Sequence, residues 1–247
     1  MGQKPVRVGM LVPSSNTVLE PYTSAMFQAV GDRGSVHYAR FRVVEISLSS
    51  ASRGQFDLGP ILEAAERLAE TEPDLIVWNG TSASWLGLET DHRLCAAITE
   101  RTGVAATSTS LAFDALFQGM GIRRIAVVTP YLPEIQTRIV ANLALRGISV
   151  VAEAHLSDKG NHSFAGYGPD VVADLVRKVA SAGPEAIAII CTNFRGAGVA
   201  EMLEADLTIP VFDSVAVTAA YAMHATGLDP SLVRGWGSVF QRTTDFI

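Results

Sequence analysis

Two stretches of this chain, 111 residues apart, follow one plan, and that repetition constrains the fold more than any other feature. The first runs Asp74-Leu75-Ile76-Val77-Trp78-Asn79-Gly80-Thr81-Ser82, the second Glu185-Ala186-Ile187-Ala188-Ile189-Ile190-Cys191-Thr192-Asn193. Each is a short unbroken apolar run, then small polar residues, then a helical pattern (Glu89 to Arg101, and Val199 to Leu207). Apolar runs without polar alternation read as parallel strands buried on both faces. Aligning Pro73-Asp74 with Pro184-Glu185 sets Gly80 opposite Cys191 and Thr81-Ser82 opposite Thr192-Asn193.

The repetition extends outward. Val6 to Val12 and Arg123 to Thr129 both read as a basic residue, a buried strand and a Pro-containing loop. Val36 to Ile46, with Arg40 and Arg42 on one face, is the strand matching Ser149 to Ala154. Gly103 to Thr109 matches Ile209 to Ser214. Helical spacing covers Glu20 to Val30, Leu58 to Glu70, Glu134 to Leu145, Asp170 to Ala182 and Ala216 to Thr226. The order β-α-β-α-β-α-β-α thus occurs twice. It predicts two similar parallel-sheet, flavodoxin-like α/β domains about a pseudo-twofold axis, with the active site in the cleft between them. The expected division is 1–117 with 222–247 for the first domain and 118–221 for the second.

Composition narrows the function classes. With 247 residues, 48% of them hydrophobic, the chain can bury a sizeable core. A net charge of −6 without a Lys/Arg stripe argues against nucleic acid. No apolar run reaches about 18 residues, so no membrane span is expected. The start runs straight into a strand without a signal-peptide pattern, and two cysteines without a pairing signal suit a reducing compartment, so the expectation is cytoplasmic. The five histidines lack metal spacing, and Gly119-Met120-Gly121 and Gly166-Tyr167-Gly168 lack a dinucleotide-binding context, so neither metal nor nucleotide cofactor is expected. His162 is of interest only because Asn161 precedes it. Cys95 and the tryptophans Trp78, Trp85 and Trp236 read as core or interface residues.

Val12-Pro13-Ser14-Ser15-Asn16-Thr17, Gly80-Thr81-Ser82, Thr129-Pro130-Tyr131 and Cys191-Thr192-Asn193 together resemble the Asp/Glu/hydantoin racemase superfamily. Within it the chain is most similar to the branch of maleate cis-trans isomerases and arylmalonate decarboxylases. The resemblance implies a cofactor-free, metal-free enzyme that moves protons at a carbon beside a carboxylate. Most members carry one cysteine on each half; here the first position is Gly80 and only Cys191 remains. A Gly-Thr-Ser turn with one downstream cysteine is the decarboxylase pattern, whereas the Asn16 loop, Asn161 and Cys191-Thr192-Asn193 follow the isomerase pattern. Carried over, Cys191 is the catalytic residue. Asn16, Tyr131 and Asn161 would bind carboxylate in the isomerase pattern, while Thr81, Ser82 and Tyr131 would form the oxyanion pocket of a decarboxylase. Pro13, Gly80 and Thr192 complete the expected substrate-binding set.

Both reactions place negative charge on a carboxylate as an enediolate or related anion, and preorganised hydroxyl and N–H donors stabilise such charge best. A decarboxylase needs Cys191 as a resting thiol that reprotonates carbon on one face; an isomerase needs it as a thiolate nucleophile. A cysteine at a strand end leading to a helix start is expected to feel the helix dipole, which lowers a thiol's pKa. The leading expectation is a decarboxylase of a substituted malonate, with an isomerase or a non-catalytic carboxylate-binding protein as alternatives. The partner is a small mono- or dicarboxylate, and a homo-oligomer stays open.

Overall fold

Strand formation in both halves starts from a carboxylate that caps the sheet's first pair. Asp74 Oδ2 accepts the Arg7 N–H at 2.8 Å, and Glu185 Oε2 accepts the N–H groups of Arg123 and Arg124 at 2.7 and 2.9 Å. A computed structural model of the chain describes residues 4–242 and 246. The first half contains β1 (Val6–Pro13), α1 (Leu19–Phe27), β2 (Gly34–Phe41), α2 (Ser50–Gly54), α3 (Leu58–Ala69), β3 (Leu75–Trp78), α4 (Ala83–Leu86), α5 (Leu88–Thr102), β4 (Ala106–Ser108) and α6 (Thr109–Gly119). The second contains β5 (Arg124–Thr129), α7 (Pro133–Leu145), β6 (Ser149–His155), α8 (Pro169–Ala180), β7 (Ala186–Ile189), α9 (Ala197–Leu207), β8 (Val211–Asp213) and α10 (Ser214–Ala225).

The two sheets have the same parallel order, β2-β1-β3-β4 and β6-β5-β7-β8. Their central strands are largely apolar, and buried beyond their first residues, with β7 and Ile125 to Val128 of β5 at 0% exposure. Helices cover both faces, as strands buried on two sides require. The helices that close each half, α6 and α10, pack on one another, and a buried Thr109–Thr218 hydroxyl pair joins them at 2.8 Å. Helix α10 also packs on α1. The C-terminal segment straps both halves. Trp236 meets Tyr22 edge-on with ring centroids 5.1 Å apart, while Glu204 in α9 receives the Ser238 N–H and hydroxyl. No helix among the described residues is long and apolar enough to cross a membrane.

One element differs from the sequence reading. The second strand ends at Phe41 instead of continuing to Ile46. Ser14 and Ser15 capture the backbone just beyond it: Val43 N–H donates to Ser14 Oγ, and Ser15 Oγ donates to Val43 O at 2.7 Å. Arg40 pairs with Glu20 at 2.8 Å, whereas Arg42 already lies past the strand. Residues 42–57 therefore leave the sheet and cross toward the other half. There Ile46 N–H donates to Lys159 O at 2.8 Å and Asn161 N–H to Val44 O at 3.1 Å.

Candidate active site

The C-terminal ends of β1, β3, β5 and β7 converge on a small, partly open space of about 20 Å³. Cys191 lies two residues beyond β7, held from behind by the first residue of α10. Its N–H donates to Ser214 Oγ at 3.0 Å, and that hydroxyl donates to Ile189 O at 2.8 Å. The side chain borders the cavity and is 2% exposed. Burial pushes the thiol up to about 12, against the smaller lowering effects of the Tyr131 hydroxyl and the Asn193 N–H; buried Asp213 adds to the rise. The lowering that a helix start can bring does not prevail. Helix α9 begins only at Ala197, so desolvation dominates and Cys191 rests as a thiol.

Facing it are Tyr131 and Thr81, whose hydroxyls are 2.8 Å apart, one from each half. Burial raises the Tyr131 phenol well above its ordinary range, so it too is a neutral donor. Its ring is fixed edge-on between Trp85 at 5.2 Å and Phe164 at 5.4 Å. Ser82 borders the same space, and its hydroxyl has no hydrogen-bond partner among the described residues. Asn161 also lines it, with Nδ2 donating to Ser15 Oγ at 2.8 Å. Pro13, Gly80 and Thr192 complete the expected set at its wall.

Two expected residues are engaged as braces between the halves. Asn16 Oδ1 accepts the N–H groups of Val18 and Leu19, both at 3.0 Å, and its Nδ2 donates to Thr192 Oγ1 at 3.1 Å. It is buried and does not border the cavity. The Thr192 hydroxyl donates onward to Asn79 O at 3.2 Å, which leaves its hydrogen committed to protein. His162 is exposed and outside the cavity. Cys95 is a buried thiol in α5, as its helical pattern suggests.

Sequence reasoning missed the apolar wall. Val43, Ile46 and Phe56, from the crossing segment 42–57, roof the cavity, and Trp78 and Trp85 line it in addition to filling the core. The signal was the excess of large apolar residues beyond β2, which a strand assignment absorbed. Among the described residues, no Lys, Arg or His borders the space. A larger apolar cavity of about 290 Å³ lies behind Thr81, lined by Phe113, Phe117, Leu143 and Ile190. The residues expected at the substrate, Asn16 apart, border the small one.

This constellation is a buried thiol facing paired hydroxyls across two related sheets. A sequence model described as arylmalonate decarboxylase matches residues 8–240. The chain belongs to the arylmalonate decarboxylase family. Maleate isomerase of Nocardia farcinica is 25% identical over 246 residues, 96% of each chain. Arylmalonate decarboxylase of Bordetella bronchiseptica is 24% identical over 186 residues, 74% of this chain and 78% of that one. A solved structure of Nocardia farcinica maleate cis-trans isomerase, a mutant with a covalently bound succinylcysteine intermediate, superposes with a TM-score of 0.86 at 21% identity, covering 96% of this chain and 98% of that one. In this member of the arylmalonate decarboxylase family, the two-sheet α/β architecture is the one its solved relatives share. Both activities named among the relatives act on small carboxylic acids, so the family alone leaves the reaction open and the site must supply the distinction.

Proposed function

We propose that this protein decarboxylates a malonate-type acid bearing an alkyl or aryl substituent, with Cys191 as its single proton donor. The observation that carries this reading is that among the described residues one thiol, Cys191, borders the cavity, with Gly80 at the equivalent turn of the other half. A thiol raised to about 12 by burial is suited to give a proton and poorly suited to attack as thiolate.

The retained carboxylate sits against the Tyr131–Thr81 pair and the free Ser82 hydroxyl. As the C–C bond to the departing carboxylate breaks, its electron pair moves into an enediolate on the retained group, where these neutral donors stabilise the new charge. CO₂ leaves toward the apolar roof of Val43, Ile46 and Phe56, a surface that solvates a neutral gas better than an anion. Cys191 then gives its S–H proton to the carbon, forming one C–H bond on one face, and the thiolate recovers a proton from water. The Tyr131, Thr81 and Ser82 hydroxyls at the wall match a retained group whose charge is met by hydroxyls, and the aromatic wall of Phe56 and Trp85 suits a hydrocarbon substituent. Maleate isomerisation is the second reading, favoured by the 96% coverage of the Nocardia farcinica isomerase.

The deciding experiment supplies malonates with two different substituents on the α-carbon, such as α-aryl-α-methylmalonates, and, separately, maleate, and follows CO₂, the hand of the product and fumarate. Release of CO₂ with a single-handed product supports the proposal. Fumarate from maleate with no CO₂ from any malonate overturns it.

A further inference from the structure

Gly80 stands two residues past β3 as Cys191 stands two past β7, so the fold aims both positions at one substrate carbon from opposite sides. Glycine at 80 is not a backbone requirement, because its φ is not left-handed. Space is what demands it. A Cβ built on Gly80 would lie 1.9 Å from Trp78 Cζ2, 2.3 Å from Cε2 and 2.5 Å from Cη2. The indole is 1% exposed and rests on the Phe41 ring, with centroids 4.9 Å apart, so it has nowhere inexpensive to go. It also borders the cavity that Cys191 faces.

We infer that Trp78 is the specificity-determining residue that makes this site one-faced: its indole fills the place where a side chain at position 80 would present a second proton donor. The chemical half of this inference rests on the decarboxylase reading; the packing half does not. When the bond to CO₂ breaks and the electron pair enters the enediolate, the Cys191 thiol supplies the proton from its own side, while the Tyr131 phenol is held by Thr81. The opposite side meets the six-membered ring of the Trp78 indole. Proton loss from the product by the reverse path is confined to the same face, so the product keeps its hand. A thiol introduced at position 80 cannot act while the indole stands there, and Gly80→Cys alone is expected to damage the fold instead of adding a donor.

The test compares wild type, Gly80→Ala, Trp78→Leu and the double variant by thermal melting. Trp78→Phe, which keeps a ring on Phe41 but surrenders the indole's reach, replaces Trp78→Leu if that variant does not fold. Gly80→Ala is expected to lower the melting temperature by several degrees in wild type and to change it little once Trp78 is replaced. An equal effect in both backgrounds, or none in wild type, overturns the inference. The same Trp78 replacement combined with Gly80→Cys is then incubated in D₂O with a single-handed α-substituted acid. At least tenfold faster exchange with racemisation than in wild type or the Trp78 variant is expected. A folded double variant with two titratable active-site thiols that still holds one hand overturns the claim that the indole confines the chemistry. If wild type releases no CO₂ from any malonate, the decarboxylase reading fails, while the melting comparison still decides the packing claim.

Discussion

At the scale of single residues, the question is what state Cys191 is in when substrate arrives. An unshifted thiol has a pKa of about 8.5 and would be losing its proton over the mildly alkaline range. Burial holds Cys191 up to about 12 instead. Activity that depends on this thiol is therefore expected to stay flat from neutral pH to beyond pH 9, with no loss near 8.5. A pH–kcat profile checks this, and an alkaline limb near 8.5 would show that the thiol is hydrated in the working state. Replacing Cys191 with Ala removes the donor and leaves the hydroxyl pair in place. General acid catalysis contributes roughly 10²–10⁴-fold, and kcat is expected to fall by that range while the circular dichroism spectrum is unchanged. Undiminished turnover would take the thiol out of the mechanism.

At the scale of elements, the start of α10 carries a tension of its own. Asp213 Oδ1 accepts the N–H groups of Val215 and Ala216 at 2.7 and 3.3 Å, whereas Oδ2 is buried without a partner. Burial raises this carboxyl from the ordinary 3.8 to about 7, the cap bonds opposing it. An acid whose pKa is higher folded than unfolded binds more protons in the folded state, so it costs stability as pH climbs from about 4 to 7, with the full cost above. That cost is on the order of 4 kcal/mol as an upper bound. Asp213→Asn keeps the capping oxygen and abolishes the titration. Its denaturation midpoint is expected to match wild type near pH 4.5 and exceed it at pH 8; a uniform loss at both would show that the carboxylate itself holds α10. The elements were largely legible in the sequence, because helical spacing and unbroken apolar runs are local properties. Segment 42–57 was not. Its apolar residues continue the β2 pattern, and it leaves the sheet only because Ser14 and Ser15, about 29 positions away, capture Val43. Gly80 was legible as a position but not in its cause, since only the packing of Trp78 on Phe41 turns the indole back over it.

At the scale of the whole molecule, the site exists only while two similar halves hold one distance, and Asn193 is the residue that bridges them most completely. Its Oδ1 accepts the N–H groups of Thr17 and Val18 from the first half, at 2.9 and 3.2 Å, while its Nδ2 donates to Asn161 O in the second. Thr192 beside it links Asn16 to Asn79, so two consecutive residues after Cys191 reach across the cleft. The duplication revealed where the two turns would meet, and the resemblance placed Asn16 and Thr192 at the substrate. Their bond to one another across the cleft appears only when both halves are assembled. Asn193→Ala would strand the buried Asn161 carbonyl and release the part-buried Thr17 N–H, while the Val18 N–H keeps Asn16 Oδ1 as its acceptor. At about 1–3 kcal/mol for a buried group left unpaired, the loss should be of that order if the halves stay closed, and less if water enters as they part. Chemical denaturation is expected to show that loss together with a lower kcat, because the Tyr131–Thr81 pair is itself split between the halves. If Asn193→Ala lowers stability but leaves kcat untouched, the halves keep their spacing without it, and the α6–α10 contact with its Thr109–Thr218 bond is what sets the distance.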